Sequence, residues 1–218
     1  MEEIKTNAIV LQTYNAKESD LVVVLLSPTK GKIRAFAKGA KNSKKRFFGN
    51  IEIFSKGDFV LTKKNANSDL YLIDNLENKV TPLELRNSLN HFLLVGLCFE
   101  LVEKCFGDVE EDARMVYDNL NLLLSIADKL TSLEKLIPFI VFNLLMLAQV
   151  VGVDPTQNPK YFRQDDLNWL NNMVQTGKPL SYDPIEASLR ALRTLANYLV
   201  STMQLKVNSI ESFEMIRI

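Results

Sequence analysis

The first 80 residues alternate between apolar and polar positions in short runs that turn-forming residues separate. The run from Lys32 to Lys38 shows the pattern best, because charged residues alternate there with Ile33, Ala35 and Ala37. A period of two places these three apolar side chains on one face of a strand and the basic groups on the other. Strands are predicted at residues 4–11, 20–26, 32–38, 51–54 leading into 59–62, and 70–73. About five antiparallel strands in 80 residues predict a small closed barrel, since closure removes exposed edges.

From Thr81-Pro82 onward, apolar residues recur at helical spacing. Thr81 is predicted to cap the first helix, Pro82 to occupy its first position and Gly107 to end it. Further helices are predicted at residues 110–127, 132–151, 165–175 and 184–204. The sequence therefore predicts a multidomain α+β protein, in which a barrel domain of residues 1–80 is followed by an all-α domain of residues 81–218.

One predicted helix is long and uncharged enough to be considered as a membrane span. Residues 136–153 contain no charged side chain over 18 positions, which is the lower limit for such a span. Pro138, Asn143 and Gln149 lie inside the segment and favour a buried central helix instead. The acidic start Met1-Glu2-Glu3 does not resemble a secretory signal, and only two Cys are present. We therefore expect a soluble protein of the reducing cytoplasm.

Charge is unevenly distributed although the chain as a whole is neutral. Residues 1–80 carry 14 basic and 9 acidic side chains, a balance of +5, whereas residues 81–218 carry 12 and 17, a balance of −5. The stretch from Lys30 to Ile51 holds eight cations and no acid. Such a stretch is typical of a surface that binds the phosphates of a nucleic acid. A solvated, lysine-rich hairpin without a ligand explains the same composition.

Three aromatic residues, Phe36, Phe47 and Phe48, lie within this basic stretch. Exposed rings beside cations stack on the bases of single-stranded nucleic acid. The alternative is that the rings belong to the core of the barrel. For Phe36, the alternation of the strand leaves open whether the ring lies beside the basic residues or at the rim of the barrel.

The sequence offers little for catalysis or metal binding. It contains no Gly-x-Ser-x-Gly elbow, no Walker loop and no Gly-x-Gly-x-x-Gly fingerprint. His91, Cys98 and Cys105 repeat every seven residues on one predicted helix, which separates successive members by about 10 Å. Zinc bonds of about 2 Å cannot bridge that distance. We therefore expect no catalytic residue, no metal site and no cofactor.

The order of short motifs resembles that of the bacterial recombination mediator family RecO. Glu18-Ser19-Asp20-Leu21 is followed by Ala37-Lys38-Gly39-Ala40-Lys41 and by Arg46-Phe47, and residues 142–152 are similar to the long central helix of that family. Many members carry a zinc-binding Cys cluster after this helix, whereas residues 152–163 contain no Cys. The resemblance therefore implies a zinc-free branch of the family.

The resemblance implies an OB-fold barrel joined to a helical domain, acting in recombinational DNA repair without turnover chemistry. It also implies binding to single- and double-stranded DNA, strand annealing, and loading of RecA in cooperation with RecR and the single-strand-binding protein. The positions carried over as DNA-facing are Lys32, Arg34, Lys38, Lys41, Lys44, Lys45 and Arg46.

Two other functions remain open. One is a protein–protein adaptor with a structural barrel and a partner-binding helical domain. The other is an RNA-binding module of translation, which leaves the large helical domain unexplained.

Overall fold

The computed structural model describes residues 2–43, 46, 47, 49, 51–63, 68, 70–107 and 111–210. Contacts divide the chain into two compact units. One consists of Met1–Pro82 with Gly107–Asn121, and the other of Leu83–Phe106 with Leu122–Ile218. This division describes local compactness, and the domain limits of residues 1–80 and 81–218 stay a prediction.

The first unit contains a closed barrel of five strands in the order β1-β2-β3-β5-β4. The strands are β1 (Glu2–Asn15), β2 (Leu21–Ser27), β3 (Gly31–Ala37), β4 (Lys56–Lys63) and β5 (Leu70–Val80). The long strand β1 pairs antiparallel with both β2 and β4 and so closes the barrel. β3 and β5 are parallel neighbours. The predicted fold class, an OB-fold barrel followed by helices, is confirmed.

Short apolar side chains on β3 face the interior of the barrel. Ile33, Ala35 and Ala37 are buried in one cluster with Val23 and Phe59. The remaining residues of β3 between them are exposed or half-buried. The alternation predicted for β3 is therefore confirmed, and it places the basic side chains on the outer surface of the barrel.

The strand predicted at residues 51–54 is wrong. The fourth strand begins only at Lys56, and Phe54 has a positive φ of 73°, which an extended strand does not allow. The segment still pairs with β1, because Phe54 N donates to Val10 O at 3.1 Å and Val10 N donates to Ser55 O at 2.8 Å. Ile51 and Phe54 are buried. Large apolar residues suit a buried position outside a strand as well as one within it, so strand propensity alone predicted the wrong conformation.

The first part of helix α2 (Ala113–Ala127) belongs to the barrel unit. Lys56 Nζ donates to Asn121 Oδ1 at 2.7 Å, and Tyr117 Oη donates to Asn7 Oδ1. The amide of Asn7 also donates to Asp58 Oδ1 at 2.7 Å. Hydrogen bonds from Asn7 and from Asn78 lower the pKa of the Asp58 carboxyl below its usual value. These polar side chains fasten the start of α2 to β1 and β4.

The second unit is helical. Its complete helices are α1 (Leu89–Cys105), α3 (Leu133–Val150), α4 (Gln164–Thr176) and α5 (Ile185–Thr202). The central helix α3 packs against both α1 and α5. The predicted helices after Gly107 are confirmed to within a few residues.

The predicted start of the first helix at Thr81-Pro82 is wrong. A 3₁₀ turn covers Glu84–Asn87, and α1 begins after Ser88, whose side chain accepts a hydrogen bond from the backbone N of His91. Thr81 instead has its hydroxyl 3.4 Å from that of Ser55. Both sites offer a hydroxyl residue before an apolar run, and tertiary packing decides which of them caps the helix.

Within the described residues, α3 is the one helix that meets the length and composition of a membrane span, with a mean hydropathy of 1.6 over Leu133–Val150. Half of this window is buried inside the protein. Core helices of globular domains share this composition, and the packing of α3 against α1 and α5 is that of a core helix.

Candidate nucleic-acid interface

The outer face of β3 carries cations on both sides of an aromatic ring. Lys32, Arg34 and Phe36 alternate with the buried residues of the strand, and Lys38 follows directly after it. Arg34 and Lys38 are exposed, whereas Lys32 and Phe36 are half-buried. Since residues two apart on a strand share a face, Phe36 lies on the same side as the basic residues. The observation that the sequence lacked is its burial, since Phe36 is half-buried between the fully buried Ala35 and Ala37.

Phe36 belongs to an apolar row that crosses four neighbouring strands. Tyr14 of β1 lies opposite Val22 of β2, and Val22 lies opposite Phe36. Phe36 in turn lies opposite Leu72 of β5. Tyr14 is exposed and the other three are half-buried. The row places apolar side chains within the basic surface, and a base can stack on its aromatic rings.

The described residues that follow β3, 38–43 together with 46 and 47, extend the basic surface; we call them the basic loop. It opens at Gly39, whose φ of 65° lies in the left-handed region, where glycine is favoured. A 3₁₀ turn then covers Ala40–Asn42. Ala40 is buried, whereas Lys41 is exposed. Lys44, Lys45 and Phe48 lie outside the described residues.

Arg46 and Phe47 anchor the far end of the basic loop. Arg46 Nη2 donates to the backbone carbonyl of Lys38, and its guanidinium carbon lies 4.4 Å from the centre of the Phe47 ring. Arg46 Nε is buried and has no hydrogen-bond partner in the described part of the chain. Phe47 is 0% exposed and belongs to the barrel core. Phe47 therefore cannot stack on a base, and of its two alternatives the core is the correct one.

Sequence reasoning missed the residue that holds the near end of the basic loop. Asp20 is only 8% exposed, and its Oδ1 accepts from the backbone N of Gly39 at 2.7 Å. In the same turn between β1 and β2, the carbonyl of Ser19 accepts from Lys41 N at 3.2 Å. The two segments that carry the family resemblance, residues 18–21 and 37–41, are thus in direct contact. Their shared presence in the sequence was the available signal.

Lys63 adds a cation near the end of β4. Its Nζ lies 4.6 Å from the centre of the Tyr71 ring, a distance at which a cation is attracted to the face of an aromatic ring. Lys63 is half-buried, and its neighbour Lys64 lies outside the described residues. Lys63 is therefore held against β5, the strand next to β3.

The residues tested for metal binding are structural. Among the described residues, no group of three or more His, Cys, Asp or Glu side chains is placed to hold a metal ion. Cys98 and Cys105 are buried, and burial raises the pKa of the Cys98 thiol. His91 is buried with its Nδ1 2.7 Å from the hydroxyl of Ser88, and burial lowers its pKa. These groups serve the core and the start of α1.

Residues 1–79 match a family model described as "Recombination protein O N terminal". Curated proteins named "DNA repair protein RecO" are similar over longer stretches. The one from Syntrophus aciditrophicus is 29% identical over 144 residues, which are 66% of this chain and 55% of that protein. The one from Chlorobium limicola is 25% identical over 195 residues, 89% of this chain and 68% of that protein.

A shorter and closer similarity falls on the barrel. The protein of the same name from Clostridium novyi is 40% identical over 73 residues, 34% of this chain and 27% of that protein. The matched stretches cover 55%, 48% and 44% of three of the relatives. The chain thus spans about half the length of most of the curated relatives it matches.

Proposed function

We propose that this chain is a DNA-binding recombination mediator in recombinational DNA repair, a proposal supported by the match of residues 1–79 to the family model described as "Recombination protein O N terminal". The observation that supports the proposal best is the outer face of β3, where exposed Arg34 and Lys38 lie on either side of half-buried Phe36. Relatives that carry the name DNA repair protein RecO point to the same process.

The proposed binding mode follows from the chemistry of this face. Arg34, Lys38 and Lys41 displace counterions from phosphates, a contribution that is independent of sequence. Phe36 offers a π-face to an unstacked base, and such stacking tolerates every base. A surface of this kind binds single strands through both contributions and double strands through the phosphates alone. It holds strands without reading them, as strand annealing requires.

Further partners belong to the same proposal. With RecR and the single-strand-binding protein as partners, the chain promotes the loading of RecA onto single strands in the cytoplasm. Residues 81–218, which carry 12 basic and 17 acidic side chains, are the region proposed for protein partners. No turnover chemistry is part of this function.

The direct test is the binding of a labelled single-stranded oligonucleotide, followed by fluorescence anisotropy at increasing salt concentration. We expect the logarithm of the association constant to fall linearly with the logarithm of salt, with a slope of about −0.7 for each phosphate contact. Binding that is absent, or that does not change with salt, would contradict the proposal and favour the protein–protein adaptor. A competing RNA strand of the same sequence that binds much more tightly would favour the RNA-binding alternative.

Replacing Phe36 separates stacking from charge. We expect Phe36→Ala and Phe36→Leu to weaken single-strand binding roughly tenfold, because stacking on one base contributes about 1–3 kcal/mol. The salt slope should stay unchanged, since no cation is lost. Phe36→Trp should bind at least as well as the natural protein. Equal affinities of the Leu variant and the natural protein would show that the ring has no base to stack on.

A further inference from the structure

We propose that Asp20 and Arg46 are positioning residues, which hold the two ends of the basic loop so that Lys38 and Lys41 meet the phosphates of DNA. The inference rests on the proposed DNA-binding function. It adds a role for an acidic side chain, Asp20, which strengthens the binding of DNA although both are negatively charged. Neither residue needs to touch the DNA for this role.

Asp20 fixes the near end of the loop through an almost fully buried carboxylate. Oδ1 accepts from Gly39 N at 2.7 Å and from the hydroxyl of Ser19 at 3.4 Å. Gly39 is the residue at which the chain turns away from β3 with a positive φ. The carbonyl of Asp20 also accepts from Ala16 N at 3.1 Å, which fastens the carboxylate's own backbone. A charge-assisted bond to an amide at a turn is among the stronger hydrogen bonds of a protein.

Arg46 fixes the far end. Its guanidinium donates to the carbonyl of Lys38 and lies over the Phe47 ring, so it bridges the start of the loop to the barrel core. The backbone of Arg46 is held as well, because its N donates to Ser43 Oγ at 3.3 Å and its carbonyl accepts from Leu76 N at 3.3 Å. One guanidinium nitrogen, Nη2, donates to the Lys38 carbonyl, and another, Nε, is buried. The guanidinium is therefore directed at its own loop.

The two ends together determine where the exposed cations lie. The carbonyl of Lys38 accepts a hydrogen bond from the Arg46 guanidinium, and the backbone N–H of Lys41 donates to the carbonyl of Ser19. Their side chains point into solvent from a backbone that is fixed before DNA arrives. A backbone that is fixed in advance at Lys38 and Lys41 loses less conformational entropy on binding, which raises affinity without any new contact.

The charge of Asp20 allows a clear test, because a purely electrostatic role and a positioning role predict opposite changes in DNA affinity when Asp20 is replaced by Ala. If Asp20 acted on DNA only through its charge, its removal from a basic surface would strengthen binding. If it positions the loop, Asp20→Ala weakens binding although the protein gains one positive charge. We expect roughly a tenfold loss, the value of a charge-assisted hydrogen bond, with a salt slope that is unchanged because all cations remain.

Two variants serve as controls. Glu18 is an exposed acid in the same turn, and Glu18→Ala makes the same change in net charge; it should bind DNA as tightly as the natural protein or more tightly. Asp20→Asn keeps an oxygen that accepts from Gly39 N and should recover most of the lost affinity. Thermal unfolding of each variant shows that it is folded, and trypsin cleavage within the loop of the free protein measures loop order without DNA. Among Asp20→Ala, Asp20→Asn and Glu18→Ala, faster cleavage is expected only for Asp20→Ala.

Arg46→Lys is the corresponding test at the far end. A lysine binds phosphate as a point charge but lacks the planar fork that lies over a ring. If Arg46 contacted a phosphate directly, Arg46→Lys would therefore bind DNA about as tightly as the natural protein. We expect instead weaker binding at an unchanged salt slope, together with faster cleavage of the loop.

The outcomes distinguish the inference from the function on which it rests. If the natural protein shows no salt-dependent DNA binding, the proposed function fails. If the natural protein binds and Asp20→Ala binds equally or more tightly, as Glu18→Ala does, the positioning role of Asp20 is overturned. Natural affinity of a folded Arg46→Lys variant would overturn that of Arg46.

Discussion

Replacing Arg34, Lys38 and Lys41 together by Ala is expected to weaken single-strand binding on the order of a hundredfold at about 50 mM salt. All three side chains are exposed, so their removal leaves the barrel core intact and costs stability little. If each makes one phosphate contact, the salt slope becomes less steep by about 2 units. Preference among base sequences should not change, because phosphate contacts carry no sequence information.

The matched control removes three cations from the helical unit. Lys135, Lys160 and Lys178 are exposed, and replacing them by Ala changes the net charge by the same amount. This variant should keep both the affinity and the slope of the natural protein. If the two triple variants lost affinity equally, the effect would come from the overall charge and the face of β3 would not be the binding site.

Phe47→Ala is expected to reduce the free energy of unfolding of the barrel by about 3–5 kcal/mol, the usual cost of removing a buried aromatic ring. Phe47 has no exposed surface and lies in one cluster with Ala40, Ile51 and Leu76. The members of this cluster come from separate segments of the chain, so we expect the cavity left by the ring to collapse only in part. Urea unfolding followed by circular dichroism measures the loss.

Phe36→Ala is the natural comparison, since it removes the same ring from the outer face of the barrel. It should cost clearly less stability than Phe47→Ala, because Phe36 is only half-buried. The two variants thus distinguish a ring that stabilises the barrel from one that we propose to stack on a DNA base. A loss below about 1 kcal/mol for Phe47→Ala would contradict its place in the core.

The parts of the fold that follow from local periodicity were predictable. Ile33, Ala35 and Ala37 point inward because side chains on a strand alternate, and this alone placed Arg34 on the outer face. The helices after Gly107 were likewise predictable, since apolar residues at helical spacing need a helix to form one buried face. In both cases the information lies within a few neighbouring residues.

The parts that depend on distant partners were not predictable from the pattern. Asp20 and Gly39 are 19 positions apart. The residues next to Asp20 do not indicate that its carboxylate accepts a hydrogen bond from the turn that follows β3. Phe47 follows three consecutive cations, which suggests a surface, yet its ring fills the barrel. Ser88 rather than Thr81 caps α1, because packing of the whole segment outweighs a local capping signal.

The return of the chain to the barrel at Gly107–Asn121 has a consequence for biosynthesis. The ribosome completes all five strands at Val80, but Asn7 and Lys56 then still lack Tyr117 and Asn121, their hydrogen-bond partners in α2. The nascent barrel therefore acquires its last polar contacts only after about 40 further residues are made, which takes a few seconds at bacterial rates of about 5–20 residues per second. A gene fragment that stops at codon 80 encodes every strand but neither Tyr117 nor Asn121, so its barrel lacks these two hydrogen bonds.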